Sequence, residues 1–293
     1  MLGRAAYRGG YIVIVSASRR TDIPAFYVDW LINRLNAGYC LVKNPFNPAQ
    51  VKHVSLLPQD VDGIVLWTKN AAPLLPKVSA LDRYSYYFQY TITPYHSDIE
   101  AGLADKKTTV IPAFLQFADH IGAGRMIWRY DPIIITPRYS YNYHIAAFTR
   151  LCGLLAGRTE KCVISFAIAY KSVAKNLAKI GHIILEDEEK LRLVADLLSI
   201  AKEYNITLCA CCELPRLYEL GVQPISCVDA SLFGVNTPRD KHQREGCNCA
   251  ASVDIGAYNS CMNGCRYCYA NHSEGKVRMN YTAHHADAEW LVD

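Results

Sequence analysis

The chain has 293 residues, 51% of them hydrophobic and 20% charged, and a formal net charge of +4. That length and composition suit one large globular domain or two modest ones with an ample buried core. No apolar run approaches the roughly 20 residues of a membrane span, and so mild a charge permits an anionic substrate or a nucleic acid without arguing for either.

In chain order, Arg4 and Arg8 precede "YIVIVSAS" (11–18). Its apolar core is too short for a secretory signal and reads as a first strand, so the expected compartment is the cytoplasm. "PAFYVDWLINRLNAG" (24–38) follows, with Pro near its start and Gly at its end, the usual punctuation of a helix. Further apolar runs are "CLVKN" (40–44), "GIVLWTK" (63–69), "YYFQYTIT" (86–93), "RMIWRYD" (125–131), "CVISFAIA" (162–169), "TLCACCE" (207–213) and "ISCVD" (225–229). Near-continuous runs of this kind suit parallel strands buried on both faces. Between them, "NYHIAAFTRLCGLLAG" (142–157) and "EDEEKLRLVADLLSIAKEYN" (186–205) read as amphipathic helices, the second with acidic residues in its first turn. Eight strands alternating with helices predict an α/β fold, a (β/α)8 or partial TIM-like barrel over 10–230. After 230 the alternation stops, and 231–293 read as a cysteine-rich extension packed at the barrel mouth.

In a barrel the chemistry sits at the C-terminal strand ends. Here those ends are polar: Ser16, Ser18, Arg19, Arg20 and Asp22 after the first run, Lys43 and Asn44 after the second, Thr68, Lys69 and Asn70 after the third. Thr91 and Thr93 close the fourth, Arg129 and Asp131 the fifth, and Glu213 the seventh. Singly, each reads equally well as a solvated loop residue; their recurrence on one rim marks a site.

Of twelve cysteines, Cys40, Cys152 and Cys162 stand alone in apolar surroundings, and the other nine lie after residue 208. In a reducing compartment such a cluster points to metal or redox chemistry rather than to disulfides. "CMNGCRYCYA" (261–270) sets Cys261, Cys265 and Cys268 at C-x3-C-x2-C spacing, with Tyr267 before the third. Thiolates are the ligands of a [4Fe–4S] cluster, one per iron, so three leave one iron open to a small molecule. A zinc site, closed by four ligands, is the alternative.

With its aromatic residue, this spacing resembles the radical S-adenosylmethionine superfamily. The resemblance implies that Cys261, Cys265 and Cys268 ligate a [4Fe–4S] cluster whose open iron binds S-adenosylmethionine. It also implies that Tyr267 packs against the cluster or contacts the adenine, and that a reductant such as flavodoxin or ferredoxin drives cleavage to a 5′-deoxyadenosyl radical. Most of the superfamily carries the motif in the first loop; here it follows the last strand, which in a ring lies beside the first. "SASRRTDIPAFY", "WTKN", "RYDPI", "QREGCNCAASVDIGAYNSC" and "CRYCYAN" together resemble a bacterial family known as a domain of unknown function with such C-terminal cysteines. "WTKN" and "RYDPI" are also, more weakly, similar to spore photoproduct lyase, a radical enzyme of DNA repair. The superfamily's usual Gly-Gly-Glu segment is not recognisable.

On this reading Arg19, Arg20, Lys43, Lys69 and Arg129 form a positive rim for the carboxylate of S-adenosylmethionine or for anionic groups of an unknown substrate. Asp131, Asp22 and Glu213 pair with the arginines or bind ribose hydroxyls. Cys211, Cys227, Cys247 and Cys249 make a second four-thiolate set, an auxiliary [4Fe–4S] cluster or zinc. Cys211 is chosen over Cys212 because adjacent strand residues face opposite ways. Electron transfer without radical chemistry and a zinc-stabilised nucleic-acid-binding barrel are the rival readings.

Overall fold

The computed structural model describes residues 13–241, 243–244 and 246–292. Arg4, Arg8 and the start of the 11–18 run lie outside the described residues. Ten strands follow in chain order: β1 (Ile14–Ala17), β2 (Tyr39–Asn44), β3 (Asn47–Ser55), β4 (Gly63–Thr68), β5 (Tyr86–Thr91), β6 (Met126–Ile133), β7 (Lys161–Phe166), β8 (Thr207–Ala210), β9 (Gln223–Pro224) and β10 (Val253–Asp254). Eight make one sheet of wholly parallel pairs, in the order β10-β1-β4-β5-β6-β7-β8-β9. The α-helices are α1 (Ile23–Phe26), α2 (Val28–Ala37), α3 (Ile111–Ile121), α4 (Tyr141–Leu155), α5 (Ala174–Lys179), α6 (Asp187–Glu203), α7 (Pro215–Glu219) and α8 (Glu274–Thr282).

Side-chain alternation explains why the strands are apolar throughout. Val15, Leu66, Phe88, Trp128, Ile164 and Leu208 face a layer that includes Leu31, Phe117, Phe148 and Leu197 of α2, α3, α4 and α6. The intervening Ile14, Val65, Tyr87, Ile127, Val163 and Cys209 form a second buried cluster on the opposite face. Both faces exclude water, as parallel sheets require. The next residues of that second parity, two positions on, are Ser16, Trp67, Gln89, Arg129 and Cys211. Of the polar strand ends expected from the sequence, Ser16 and Arg129 therefore point to the face away from the helices, whereas Thr68 shares the parity of Leu66 on the helix side.

The helices begin and end where their sequences say. Glu186 and Glu189 form a capping box on α6, and the Ser140 side chain caps α4. Gly38, at φ 80°, ends α2 in the left-handed conformation.

Three expectations need correction. The barrel is not closed: β9 and β10 are the two edges of the sheet, and no ladder joins them among the described residues. The flanking segments meet instead through one backbone bond, Ala250 N to Val228 O at 2.9 Å. Next, the 40–44 run is not a sheet strand. It pairs with β3 in an antiparallel hairpin closed by a turn in which Asn44 Oδ1 accepts from Phe46 N. Finally, 225–229 is not a strand; β9 is only Gln223–Pro224, with a proline that cannot donate to a ladder, as suits an edge. The sheet's remaining member, β10, comes from within 231–293.

Asp254 fixes β10 against β1. Its carboxylate accepts from Ser16 Oγ (2.9 Å), Ser18 Oγ (2.6 Å), Arg19 N (2.7 Å), Gly256 N (3.0 Å) and Arg20 Nε (3.0 Å). Gly256 is needed there, since a Cβ would overlap the Ser18 side chain. We predict that Asp254→Ala, which strands the mostly buried Arg20 charge, costs about 2–4 kcal/mol in urea unfolding. A loss below about 1 kcal/mol would show that other contacts hold this edge.

Candidate functional site

The loop of Cys261, Cys265 and Cys268 is strapped to the segment after β5. Arg266 N donates to Ile99 O and Gly102 N to Asn263 O, both at 2.9 Å, and Glu100 and Cys265 share an antiparallel bridge. The approach is so close that a Cβ on Gly102 would overlap the Met262 carbonyl oxygen. Gly264, at φ 62°, turns the loop, and Cys268 N donates to Cys265 O at 3.1 Å.

The same loop reaches β1 and β4. Asn263 Nδ2 donates to Asp22 Oδ2 at 2.8 Å, and Tyr269 OH to Arg19 O at 2.8 Å. Asp22 also accepts from Thr68 Oγ1 (2.6 Å), Lys69 N (2.7 Å) and, as the cap of α1, Ala25 N (3.1 Å). Burial still pushes its carboxyl up despite these donors. The motif, though last in the chain, thus lies at the C-terminal ends of β1, β4 and β5. Burial raises all three thiols, Cys261 to about 12. As free thiols they keep their protons, which a bound metal would displace.

Under Cys265 sits Glu100, with a side chain only 1% exposed. It binds Lys69 Nζ (2.8 Å), Lys106 Nζ (2.5 Å), Thr93 Oγ1 (2.8 Å) and Tyr267 OH (2.5 Å). Burial drives its carboxyl up, but the two ammonium groups outweigh that and hold it at about 2. For Lys69 burial acts downward, and Glu100 with its neighbours overcomes it to give about 12. Lys69 also lies 5.3 Å over the Tyr267 ring, which meets Tyr95 edge-on at 6.3 Å.

Between the two cysteine groups stands Trp67, with the Arg19 and Arg129 guanidinium groups each 5.4 Å from its ring. Arg129 is fully engaged: a bidentate pair with Asp131 (3.0 and 2.5 Å), Gln89 Oε1 (3.0 Å) and Cys227 Sγ (3.3 Å). Arg19 Nη2 and Trp67 Nε1 are buried with no hydrogen-bond partner among the described residues. Lys43 does not join this rim. It rides on the β2–β3 hairpin, 4.5 Å over the Trp290 ring, because 40–44 left the sheet.

In the second group, Cys211, Cys227 and Cys249 bring their sulfurs within 4.8 Å of one another, and so do Cys211, Cys212 and Cys247. Cys212 was not expected here. The alternation rule does not reach it, because β8 ends at Ala210 and Cys212 lies in a bend at φ 56°, its sulfur 3.6 Å from that of Cys211. No local signal in the sequence marks that turn: Pro215, which opens α7, does not exclude a strand by itself, since β6 and β9 carry prolines of their own. Glu213 borders a cavity of about 350 Å³ and accepts weakly from Phe166 N (3.4 Å); burial raises its carboxyl to about 7.

A family model, "Domain of unknown function (DUF1848)", matches residues 14–270, taking in the sheet and both cysteine groups. The chain belongs to the DUF1848 family. A search of curated proteins finds no match. Among solved structures, a "putative phosphomethylpyrimidine kinase" from Bacteroides thetaiotaomicron is similar over 67% of this chain and 62% of its own, at 12% identity and a TM-score of 0.25. So loose a likeness carries no argument about this DUF1848 chain. Among the described residues, no helix is long and apolar enough to cross a membrane.

Two outcomes follow from Glu100 and Gly102. Glu100→Gln leaves Lys69 and Lys106 buried without their counter-charge and is expected to cost about 3–5 kcal/mol by denaturant titration. The wild-type contribution is complete above the ordinary carboxylate range of about 4.3, and it fades as pH falls through about 2. An unfolding midpoint as acid-sensitive in the variant as in the wild type would contradict this. Gly102→Ala is expected to keep native far-UV circular dichroism while lowering the iron bound after reconstitution.

Proposed function

We propose that the protein is a radical S-adenosylmethionine enzyme whose cluster is held by Cys261, Cys265 and Cys268. The observation that carries this is their spacing. They stand at C-x3-C-x2-C spacing with Tyr267 before the third, and Cys261 and Cys268 lie close enough for their charges to act on Cys265. Three thiolates fill three corners of a [4Fe–4S] cluster, whereas a structural zinc site closes with four ligands. Three such thiols at the strand ends of a parallel sheet fit a cluster with one open iron.

With S-adenosylmethionine, a [4Fe–4S] cluster supplies reductive cleavage of the sulfonium and hydrogen abstraction by the resulting 5′-deoxyadenosyl radical. The chain's own residues do the rest. Glu100, locked by two lysines, fixes Tyr267 beside Cys265. Lys69 keeps positive charge next to the same loop, where it favours thiolates and a bound carboxylate. Arg19, with one unpartnered nitrogen, is positioned for an anionic group, whereas Arg129 and Asp131 satisfy each other and shape the wall. The second cysteine group is an auxiliary metal centre. The electron comes from a partner such as flavodoxin or ferredoxin, and the cytoplasm, which keeps thiols reduced, is the compartment that suits the twelve free cysteines.

The test is anaerobic reconstitution with iron and sulfide, followed by EPR and product analysis. The expected result is about four irons per first-site cluster, a spectrum altered by S-adenosylmethionine, and 5′-deoxyadenosine formed with dithionite. Cys265→Ala should abolish all three. A colourless protein holding only zinc sinks the proposal, and a cluster indifferent to S-adenosylmethionine favours electron transfer.

A further inference from the structure

The second cysteine group offers five thiols where a four-coordinate ion needs four. Cys211, Cys227 and Cys249 lie mutually within 4.8 Å, near the separation of about 3.8 Å that one tetrahedral thiolate ion imposes. Thiols on separate irons of a cube would stand further apart. This group is therefore compact enough for its sulfurs to share a single soft ion.

The fourth position has two claimants. Cys212 and Cys247 each lie within 4.8 Å of Cys211 and of each other. Cys247 is buried, whereas Cys212 is partly exposed and is the one of the five that lines the 350 Å³ cavity. The cavity's walls include Ile133, Phe166, Ile183 and Leu185, with His182, Lys190 and Glu213 as its polar members, so most of its wall suits an apolar body. Arg129 Nη1 on Cys227 Sγ (3.3 Å) and Arg244 Nη2 on the Cys211 carbonyl (3.0 Å) bring positive charge that offsets clustered thiolates.

We propose that Cys211, Cys227 and Cys249 are the fixed ligands of one zinc-type ion, that Cys212 and Cys247 alternate in its fourth position, and that the cavity delivers a small apolar thiol to that ion in place of Cys212. The exchange involves no redox change. The metal–Sγ bond to Cys212 breaks, a metal–sulfur bond to the incoming thiol forms, and the thiol proton passes to the released Cys212 thiolate. A soft donor is the class that competes with thiolate for such an ion. The inference rests on the auxiliary metal centre proposed above and is independent of radical chemistry.

The experiment uses the full chain carrying Cys261→Ala, Cys265→Ala and Cys268→Ala, so that failure of the first site cannot obscure the second. Cobalt(II) is the metal probe and benzyl mercaptan the thiol probe, with circular dichroism confirming the fold of each variant. One cobalt per chain is expected, with intense thiolate charge-transfer and tetrahedral d–d bands. Cys227→Ser and Cys249→Ser should weaken binding at least tenfold. Cys212→Ser and Cys247→Ser should each retain the ion, and the double variant should lose it. Benzyl mercaptan should shift the charge-transfer band in the parent and in Cys247→Ser, but not in Cys212→Ser. Any of three results overturns the proposal: no tetrahedral cobalt in the folded parent, loss of the ion in either Cys212→Ser or Cys247→Ser alone, or a thiol-induced shift that persists in Cys212→Ser.

Discussion

Everything at the candidate active face hangs on one buried carboxylate. Glu100 gathers Lys69 from the end of β4, Thr93 from just beyond β5, Lys106 from the following turn, and Tyr267 from the cysteine loop. A charge this deep is tolerable only because two ammonium groups and two hydroxyls satisfy it. The arrangement is costly to break and therefore specifies one placement of the loop. It also leaves the trio of charged groups with a net positive charge beside Cys265, the sign that favours a bound anionic cluster or carboxylate.

Asp22 and Asp254 repeat the device on β1. Each is a carboxylate whose acceptors are filled by backbone and side-chain donors from distant parts of the chain. Asp22 ties β1 to β4 and to the cysteine loop, and Asp254 brings β10 to the edge of β1. Neither carboxylate spans the open side between β9 and β10; both reinforce pairs that already share a ladder, β10 with β1 and β1 with β4, and Asp22 adds the cysteine loop to them.

How much of this was legible follows the physics of each element. Parallel strands buried on both faces leave near-continuous apolar runs, so β4 to β8 could be read directly. "CLVKN" carried the same composition, yet its partner "VKHVS" is polar and the intervening "NPFN" is a turn, which together describe a hairpin standing off the sheet. β10 could not be read, since two residues have no periodicity and Asp254 is a poor strand former held by its bonds. Glu100 was equally invisible. It sits in "SDIEAG", a solvated loop by composition, and its burial comes from lysines and a tyrosine far apart in sequence. The cysteine spacing was legible because it is a local pattern; the approach of Cys212 to Cys211 and Cys247 was not, because a left-handed turn at one residue redirects its side chain.

The two cysteine groups differ in the way their proposed functions require. The first is a single loop whose three thiols lie at the ends of β1, β4 and β5; the second is compact, with thiols from the end of β8, the turn after β9 and the segment before β10. Trp67 lies between them, its ring flanked by Arg19 and Arg129, and Arg129 bonds Cys227 directly. On this face Arg19 Nη2 and Trp67 Nε1 are buried donors that lack a partner among the described residues. Buried donors are rarely left unsatisfied, so on the function proposed above these two are the groups that would take an acceptor from a bound molecule.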